Sequence, residues 1–501
     1  MGNGCSQKRH NRQSTSLIKD SLDKDGEEKL TDFVTEVYNH VKLKHSPAEL
    51  ARHELDIRTR IVQPICDTLS SSHPALAVWD VHLNGSMSNQ TKIDTPNELD
   101  YVLPMVHSDY IEFFKNETSD KKYKCKVHPS QCPKLSQYSR FIDSSCLLSN
   151  QLIQKFLPQV VKESLSLLDR NSENSLIYKG EIKLKGNPIE SSKLSIHEVE
   201  LDTEVHGPSI QLRVGGLLCV TDIDLCFCLK MLELPHTSRR FYIVVPDYNG
   251  WIRSYYEIPD ERVKRLDEHH RKIAVTLKYI LSQVKKHKWK SRFHSHALFT
   301  LVRKHQAQCD SSDRSLGKCY HDINHSVCKL VIKSMENNKY RYVELDKTLH
   351  ENIKDIECPE LSLLKPAKSI PTDLFVFATY NLTKLKASKM CSTGYRCTNL
   401  IDLVIRECWL ELMKQWALQK NSKVKSSVRN LILSAENGQL FRELIDQYGV
   451  SIGVYEGLEV DVQRLLSRLK EKISSQSELI DIETWLKRDT GYIEPTKSSK
   501  K

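Results

Sequence analysis

The most apolar stretch of the chain carries two acids. Residues 214–229 read VGGLLCVTDIDLCFCL, in which Asp222 and Asp224 interrupt an otherwise apolar run. A helix that crosses a bilayer needs roughly 18 apolar residues with few or no charges, and no segment of the sequence provides them. A short apolar run of this kind is typical of a buried strand. We therefore predict a buried, acid-bearing strand in place of a membrane span.

The spacing of apolar residues changes along the chain. Strand-like runs appear at ALAVWDVHL, ELDYVLPM, 176–184, 199–205, 210–229 and FYIVVPD, whereas most of the chain beyond about Asp260 has helical spacing. Separate runs of strands and helices predict an α+β protein. Because single cores stop growing at roughly 250–300 residues, the 501 residues are expected to form more than one core. We predict a disordered tail at 1–26, a mixed-sheet lobe at 27–240, a helical lobe at 241–350 and a helical region at 351–501, either an interaction module or the completion of the helical lobe.

A long amphipathic helix is predicted in the first lobe. Ser46 and Glu49 have the spacing of a capping box, with Pro47 at the first helical position. Pro64 is expected to kink the helix or end it near Val62. Three basic residues lie on or beside its polar side: Arg52, Arg58 and Arg60.

The first residues, MGNGCSQKRHNRQ, have no apolar core and so cannot be a secretory signal. An intracellular, cytoplasmic protein is therefore expected, and its 15 scattered cysteines are predicted to be reduced. Gly2 fits the acceptor pattern for N-myristoylation, with Ser6 at the sixth position. Cys5, as a palmitoylation site, and the nearby basic residues offer the second signal that stable anchoring needs. We predict attachment to the inner face of a membrane.

A candidate metal site begins at the Gly85-Ser86 turn. A short loop later, Glu98 and Asp100 fall on a predicted strand, where residues i and i+2 point to the same face. Paired carboxylates suit a hard cation such as Mg²⁺, with Mn²⁺ as a substitute. With a third acid from 214–229 they can hold two ions about 3.5–4 Å apart, an arrangement that promotes phosphoryl displacement. The turn supplies backbone N–H groups and a hydroxyl for phosphate.

The string NGSMSNQTKIDTPNELDYVLPM closely resembles the catalytic segment of cyclic GMP–AMP synthase and of the cyclic GMP–AMP synthase-like receptors, in the male-abnormal family of nucleotidyltransferases. The resemblance extends over roughly residues 30–345 and includes FYIVVPDYNGWIRSYYE and SRFHSHALF. It implies a two-lobed nucleotidyltransferase that joins ATP and/or GTP into a cyclic dinucleotide in innate immune signalling. It makes Gly85-Ser86 the phosphate-binding turn and Glu98 and Asp100 metal ligands.

The third metal ligand is open between two residues of one strand face. Ile223-Asp224-Leu225 resembles the apolar–Asp–apolar motif of the family, so Asp224 is preferred, and Asp222 is the substitute. A small change of register would reverse this preference.

The resemblance also assigns nucleotide contacts to the helical lobe. Lys278 falls where the family has a nucleotide-contacting lysine, and Phe293 falls where it has a base-stacking tyrosine. Without the family context, core packing is the commoner role of such an aromatic residue. Ile252 replaces a base-reading arginine, and the neighbouring Arg253 would point elsewhere on a strand. The identity of the dinucleotide is therefore open.

The activating ligand is expected to be double-stranded RNA, with DNA less favoured. Between Ser254 and Lys278 the chain has no cysteine, so the zinc-binding insertion of cyclic GMP–AMP synthase is expected to be absent, and chains without it resemble RNA-sensing receptors. A-form RNA is recognised by shape and backbone contacts, for which basic surfaces suffice. His128 with Cys125 and Cys132 is only a weak metal motif. The candidate RNA-binding residues are Arg52, Arg58, Arg60, Lys285, Lys286, Lys288 and Lys290.

Two other functions are compatible with the same residues. One is a catalytically silent nucleic-acid-binding or scaffold protein of the same fold, which would not need the intact turn and acids. The other is a polymerase that adds nucleotides to RNA ends, whose product would stay joined to a primer.

Overall fold

The structure is a computed structural model that describes part of the chain. The described residues are 22–106, 108, 111–116, 119–128, 130, 155–170, 176–204, 206–232, 241–247, 250–253, 265–286, 291, 293–309, 314–325, 374–387, 396–405 and 408.

The described α-helices occur in two parts of the chain. Five of them precede Ile177, and the others follow Arg253. They are α1 (Lys24–Val41), α2 (Pro47–Ile57), α3 (Gln63–Ser72), α4 (Gly85–Ser88), α5 (Leu157–Arg170), α6 (Glu268–Lys286), α7 (Ser295–Gln306) and α8 (Leu374–Ala387). Residues 316–325 and 397–405 are also helical. None of the described helices is both long enough and apolar enough to cross a membrane.

The strands form a mixed sheet, which confirms the predicted α+β class. They are β1 (His82–Asn84), β2 (Glu98–Pro104), β3 (Ile111–Asn116), β4 (Ser119–Val127), β5 (Ile177–Ile182), β6 (Glu198–Asp202), β7 (Ile210–Gly215), β8 (Val220–Leu232), β9 (Phe241–Asp247) and β10 (Gly250–Arg253). Six of them follow the order β1-β2-β8-β7-β6-β5, in which β2 and β8 are parallel, as are β5 and β6. The far end of β8 pairs with β9, which continues through β10 and β4 to β3.

The acid-bearing apolar run forms β8, the strand on which the sheet is centred. Its first half lies between β2 and β7, and residues 229–232 pair with β9. Ile223, Leu225 and Phe227 are fully buried, as predicted for a buried strand. Their alternation leaves Asp222 and Asp224 on the opposite face of the sheet.

The long helix starts as predicted but does not end at Val62. Ser46 and Glu49 form the capping box, with Pro47 at the start. Residues 58–62 form a π-helical turn, in which Gln63 N–H donates to the Arg58 carbonyl, and α3 then continues to Ser72. The wider turn separates the ring of Pro64 from the preceding carbonyls, so that proline is accommodated where it would otherwise break the helix.

Two hydrophobic clusters account for most of the buried side chains. The sheet cluster joins α3 and α5 to one face of the sheet, and the helical cluster joins α1, α6, α7, α8 and the helical residues 316–325 and 397–405. This packing differs from the predicted domain boundaries. Leu30, Phe33 and Val37 of α1 belong to the helical cluster, and β9 and β10 extend the sheet beyond residue 240. The amphipathic stripe of α1 shows that it buries one side but does not show against which partner.

Strands β3 and β4 form a hairpin that we did not predict from the sequence. Their polar, lysine-rich sequence resembles a loop, yet alternate residues such as Tyr123, Cys125 and Val127 are buried. Cys125 is buried in the sheet cluster, whereas His128 is exposed, so the two side chains lie in different environments. Cys132, the third member of the weak metal motif, lies outside the described residues.

Candidate metal centre

Three acids converge where β2 and β8 run side by side. The parallel register pairs Glu98 with Asp222 and Asp100 with Asp224. The carboxylates of Glu98, Asp100 and Asp224 each offer an oxygen within 4.8 Å of the others. We call these three residues the acidic cluster. The structure therefore brings together the predicted pair and the preferred third acid.

The Oδ1 atom of Asp224 is buried and has no hydrogen-bond partner among the described residues. Burial, together with the charges of Asp100 and Glu98, raises the pKa of its carboxyl from 3.8 to about 7. A buried, unpaired carboxylate oxygen is costly, so this site is electrostatically prepared for a cation.

Asp100 lies directly against the Gly85 turn. Burial, followed by the charge of Glu98, raises its pKa to about 6. Gly85 has a φ of +68°, and a Cβ atom there would lie 1.7 Å from Asp100 Oδ2. Glycine is therefore required both by the backbone conformation and by the close approach of the carboxylate. Asn84, opposite Asp100 on β1, accepts a hydrogen bond from Gly85 N–H at 2.6 Å and fixes the turn.

Asp222 has a different partner. Arg213, directly opposite on β7, donates from Nε to Oδ1 at 2.7 Å and from a terminal nitrogen to Oδ2 at 3.1 Å. The guanidinium is buried, so this bidentate pair neutralises two charges inside the sheet. The geometry thus favours Asp224 over Asp222 as the third acid. An arginine in the apolar strand SIQLRVG signals a buried acidic partner, but the sequence alone does not identify it.

Glu98 is half exposed and is paired with Lys92. The Lys92 ammonium lies 2.6 Å from Glu98 Oε2, and only 8% of the lysine side chain is exposed. Burial tends to raise the pKa of Glu98, but the charge and hydrogen bond of Lys92, with the charge of Lys278, outweigh it and lower the pKa. Sequence reasoning missed Lys92, because the direction of a side chain in a loop leaves no periodic signal.

Lys278 on α6 lies close to two acids of the acidic cluster, Glu98 and Asp100. Its ammonium donates to the Thr91 carbonyl at 3.1 Å. Burial, followed by repulsion from Lys92, lowers its pKa to about 8, although Glu98 and Asp100 oppose that change. Earlier in α6, Arg271 donates to the side chain of Gln90. The helix is therefore fastened to the loop between the Gly85 turn and Glu98.

Two residues that the resemblance placed near a nucleotide base contribute to packing instead. Phe293 is only 2% exposed and packs on Phe375 in the helical cluster, with ring centroids 5.2 Å apart. Its predicted role as a base platform is not supported, because neither face of the ring is open to a ligand. Ile252 packs on a small apolar group around Val102 and Val245.

The predicted nucleic-acid-binding residues are only partly within the described residues. Arg52 is exposed on α2 and Arg60 on the π-helical turn that follows it, and Arg58 lies 3.8 Å from Asp80 across a half-exposed ion pair. Lys285 and Lys286 are exposed in the last turn of α6. Lys288 and Lys290 lie outside the described residues, as do the predicted lipidation sites Gly2 and Cys5.

Comparison with protein-family models and with curated proteins found no match for this chain.

Proposed function

We propose that the chain is a nucleotidyltransferase that depends on a divalent metal ion, Mg²⁺ or Mn²⁺, held by the acidic cluster. The supporting observation is the convergence of Glu98, Asp100 and Asp224 within 4.8 Å, beside a glycine turn whose shape the Asp100 carboxylate requires. Carboxylate oxygens are the ligands that Mg²⁺ and Mn²⁺ prefer. Burial, and then repulsion between the neighbouring carboxylates, raises the pKa values of Asp100 and Asp224, and a bound cation would relieve this cost.

When bound, divalent ions would neutralise the triphosphate, from which pyrophosphate leaves, and would lower the pKa of the ribose hydroxyl that attacks the α-phosphorus. The roles of the side chains follow from their places around the acidic cluster. The Gly85 N–H already donates to Asn84, so the backbone N–H and the hydroxyl of Ser86 are the groups of this turn that suit a phosphate. Lys278 supplies a positive charge close to Glu98 and Asp100. Asp224, the least neutralised of the three acids, is the group to accept the proton of the attacking ribose hydroxyl.

Lys92 keeps one carboxylate of the cluster charged before substrate binds. Because its ammonium is nearly buried against Glu98, it takes the position of a cation in the metal-free protein. Glu98 retains a second oxygen for a metal ion. A metal ion bound to Glu98 would take over this neutralisation, and the Lys92 ammonium would then be free to pair with the negatively charged phosphates of the nucleotide.

The finer proposal concerns the product and its trigger, and it rests on the resemblance stated above. ATP and/or GTP would be joined into a cyclic dinucleotide when duplex RNA, or less favourably duplex DNA, binds the basic surface that includes Arg52 and Arg60. Ile252, in place of a base-reading arginine, leaves the choice of base to other residues of the site.

Incubation of purified full-length chain with the four nucleoside triphosphates tests this proposal. Mg²⁺ or Mn²⁺ is supplied, together with duplex RNA, duplex DNA or neither, and small products are separated and identified by mass spectrometry. Asp224→Asn is expected to lower product formation at least ~100-fold, since a ligand of the metal and a proton acceptor are both lost. Glu181→Gln, which removes an exposed acid of the edge strand β5, is the matched control.

Each outcome bears on one of the alternatives. A small cyclic product that requires Asp224 supports the proposal, and a product joined to the RNA strand identifies a polymerase. No nucleotide product with either metal and either duplex would contradict the enzymatic proposal and favour a nucleic-acid-binding scaffold.

A further inference from the structure

A second group of potential metal ligands lies in the helical cluster. His270 in the first turn of α6, His305 in the last turn of α7, Cys309 just beyond it and Cys319 in the helical residues 316–325 each offer an atom within 4.8 Å of the others. We call these four residues the His–Cys cluster. They come from three separate segments, so their convergence is a property of the fold.

The geometry of this cluster fits a tetrahedral zinc ion. The two sulfur atoms are 3.5 Å apart, too far for a disulfide bond of ~2.05 Å. They are close to the ~3.8 Å that separates two thiolates bound to one tetrahedral zinc ion at ~2.3 Å. His305 and Cys309 are four positions apart, so they form the closely spaced ligand pair that zinc sites commonly contain.

The two histidines present nitrogen atoms that nothing else in the described protein uses. Nε2 of His270 and Nε2 of His305 are both buried without a hydrogen-bond partner. His270 is fully buried, and its Nδ1 lies 2.8 Å and 2.9 Å from the two carboxylate oxygens of Asp267. In the neutral ring Nδ1 therefore carries the proton, which leaves the lone pair on the unpartnered Nε2. A carboxylate that orients a ligating histidine in this way is a regular feature of zinc sites.

We propose that the His–Cys cluster is a structural zinc site that fastens the start of α6 to the end of α7 and to residues 316–325. Four protein ligands leave no open coordination position, which is characteristic of structural zinc rather than catalytic zinc. The site is separate from the acidic cluster. It also differs from the insertion whose absence was predicted, since both of its cysteines follow Lys278 in the chain.

The charge of a bound zinc ion is balanced because the two cysteine thiols lose their protons and become thiolates. Burial, followed by the hydrogen bond between the two thiols, raises the pKa of the Cys319 thiol to about 12. Zn²⁺ would replace two thiol protons, which pass to solvent, and would form two Zn–S and two Zn–N bonds without oxidation or reduction. Burial lowers the pKa of His305, which favours the neutral imidazole that binds zinc.

Metal analysis of the purified full-length chain tests this proposal. After dialysis against a weak chelator, elemental analysis is expected to find about one zinc ion per chain. Co²⁺ exchanged into the site should give the visible absorption of a tetrahedral thiolate complex. Cys309→Ser is expected to remove most of the zinc, and it affects a half-buried residue whose loss leaves the helical cluster packed. Cys219→Ser, at another half-buried cysteine, is the matched control and should retain the metal.

Two further variants separate this site from its alternatives. Asp267→Asn keeps all four ligands but loses the carboxylate that orients His270, so zinc affinity should fall by ~10- to 100-fold. Asp224→Asn should retain zinc, which distinguishes the site from the acidic cluster. Any of three results would overturn the proposal. The native chain could contain no zinc, or Cys309→Ser could contain as much zinc as the native chain. The third is a Cys309–Cys319 disulfide in chain purified without reductant.

Discussion

Replacing Asp224 with asparagine is expected to stabilise the metal-free protein while it abolishes activity. Asparagine has nearly the same shape as aspartate but carries no charge. In the native chain, burial and the charges of Asp100 and Glu98 oppose ionisation of Asp224. The substitution therefore removes an electrostatic penalty that the protein tolerates only because the site binds a cation.

The size of this effect follows from the pKa of Asp224. It is 3.8 ordinarily and about 7 in the fold, so between these values the folded chain retains a proton that the unfolded chain has lost. The stability that Asp224 contributes by holding this proton is thus fully present below pH 3.8 and is lost as the pH rises through about 7. At ~1.4 kcal/mol for each pKa unit, the penalty is ~4 kcal/mol at about pH 8 and ~1.5 kcal/mol at about pH 5. Asparagine does not titrate, so the free energy of unfolding of the variant, relative to that of the native chain, should rise by ~2.5 kcal/mol from about pH 5 to about pH 8.

Thermal unfolding of both chains in metal-free buffer measures this difference. The melting temperature of Asp224→Asn relative to the native chain should rise by on the order of 5 °C between about pH 5 and pH 8. Addition of Mg²⁺ at the higher pH should stabilise the native chain and not the variant. Parallel pH profiles for the two chains would refute the reasoning.

Asp222→Asn is a matched control on the same face of β8. Asp222 neutralises Arg213, which is only 3% exposed. Its substitution leaves a buried guanidinium without a carboxylate, so the variant should be destabilised by ~3 kcal/mol at both pH values. Substitution by asparagine at two aspartates separated by one residue is thus expected to change the free energy of unfolding in opposite directions.

Three further predictions concern the rest of the site. Gly85→Ala should abolish nucleotide transfer and destabilise the chain by ~2 kcal/mol or more, because the backbone there is left-handed and the added Cβ atom would collide with Asp100. Activity assays and chemical denaturation measure these two effects. Gly186→Ala, also at positive φ but with open space around it, is the control for backbone strain alone. The KM for nucleotide should rise above about pH 8, where Lys278 loses its proton, and Lys278→Arg should flatten that dependence because arginine stays charged. Replacement of Arg52, Arg58 and Arg60 by uncharged residues should weaken the binding of duplex RNA and reduce the dependence of its affinity on salt concentration. Titrations with RNA at several salt concentrations measure both effects.

Much of the fold was predictable because it leaves periodic signals in the sequence. The capping box before α2, the buried strand β8 and the helical spacing of α6 each depend on local residues, and the structure shows them where they were expected. The hairpin β3–β4 was missed, since its polar outer face hides the alternation. The packing partner of α1 was also missed, because periodicity indicates a buried side and not what covers it.

The candidate site divides in the same way. Glu98 and Asp100 were found because an i, i+2 pair on a strand must share a face. Asp224 was preferred to Asp222 only because Ile223-Asp224-Leu225 resembles a motif of the family. Lys92 and Arg213 were not found, since each depends on a contact between segments that spacing does not specify. Phe293 was assigned by position alone, and its burial against Phe375 is decided by helix packing that no local pattern encodes.

Diffraction from crystals grown with Mn²⁺ and a non-hydrolysable nucleoside triphosphate tests the central claim most directly. Anomalous scattering locates manganese without assumptions about the ligands. Peaks within about 2.5 Å of carboxylate oxygens of Glu98, Asp100 and Asp224, with the triphosphate at the Gly85 turn, are the predicted result. Manganese bound elsewhere while the three carboxylates stay unliganded would contradict it.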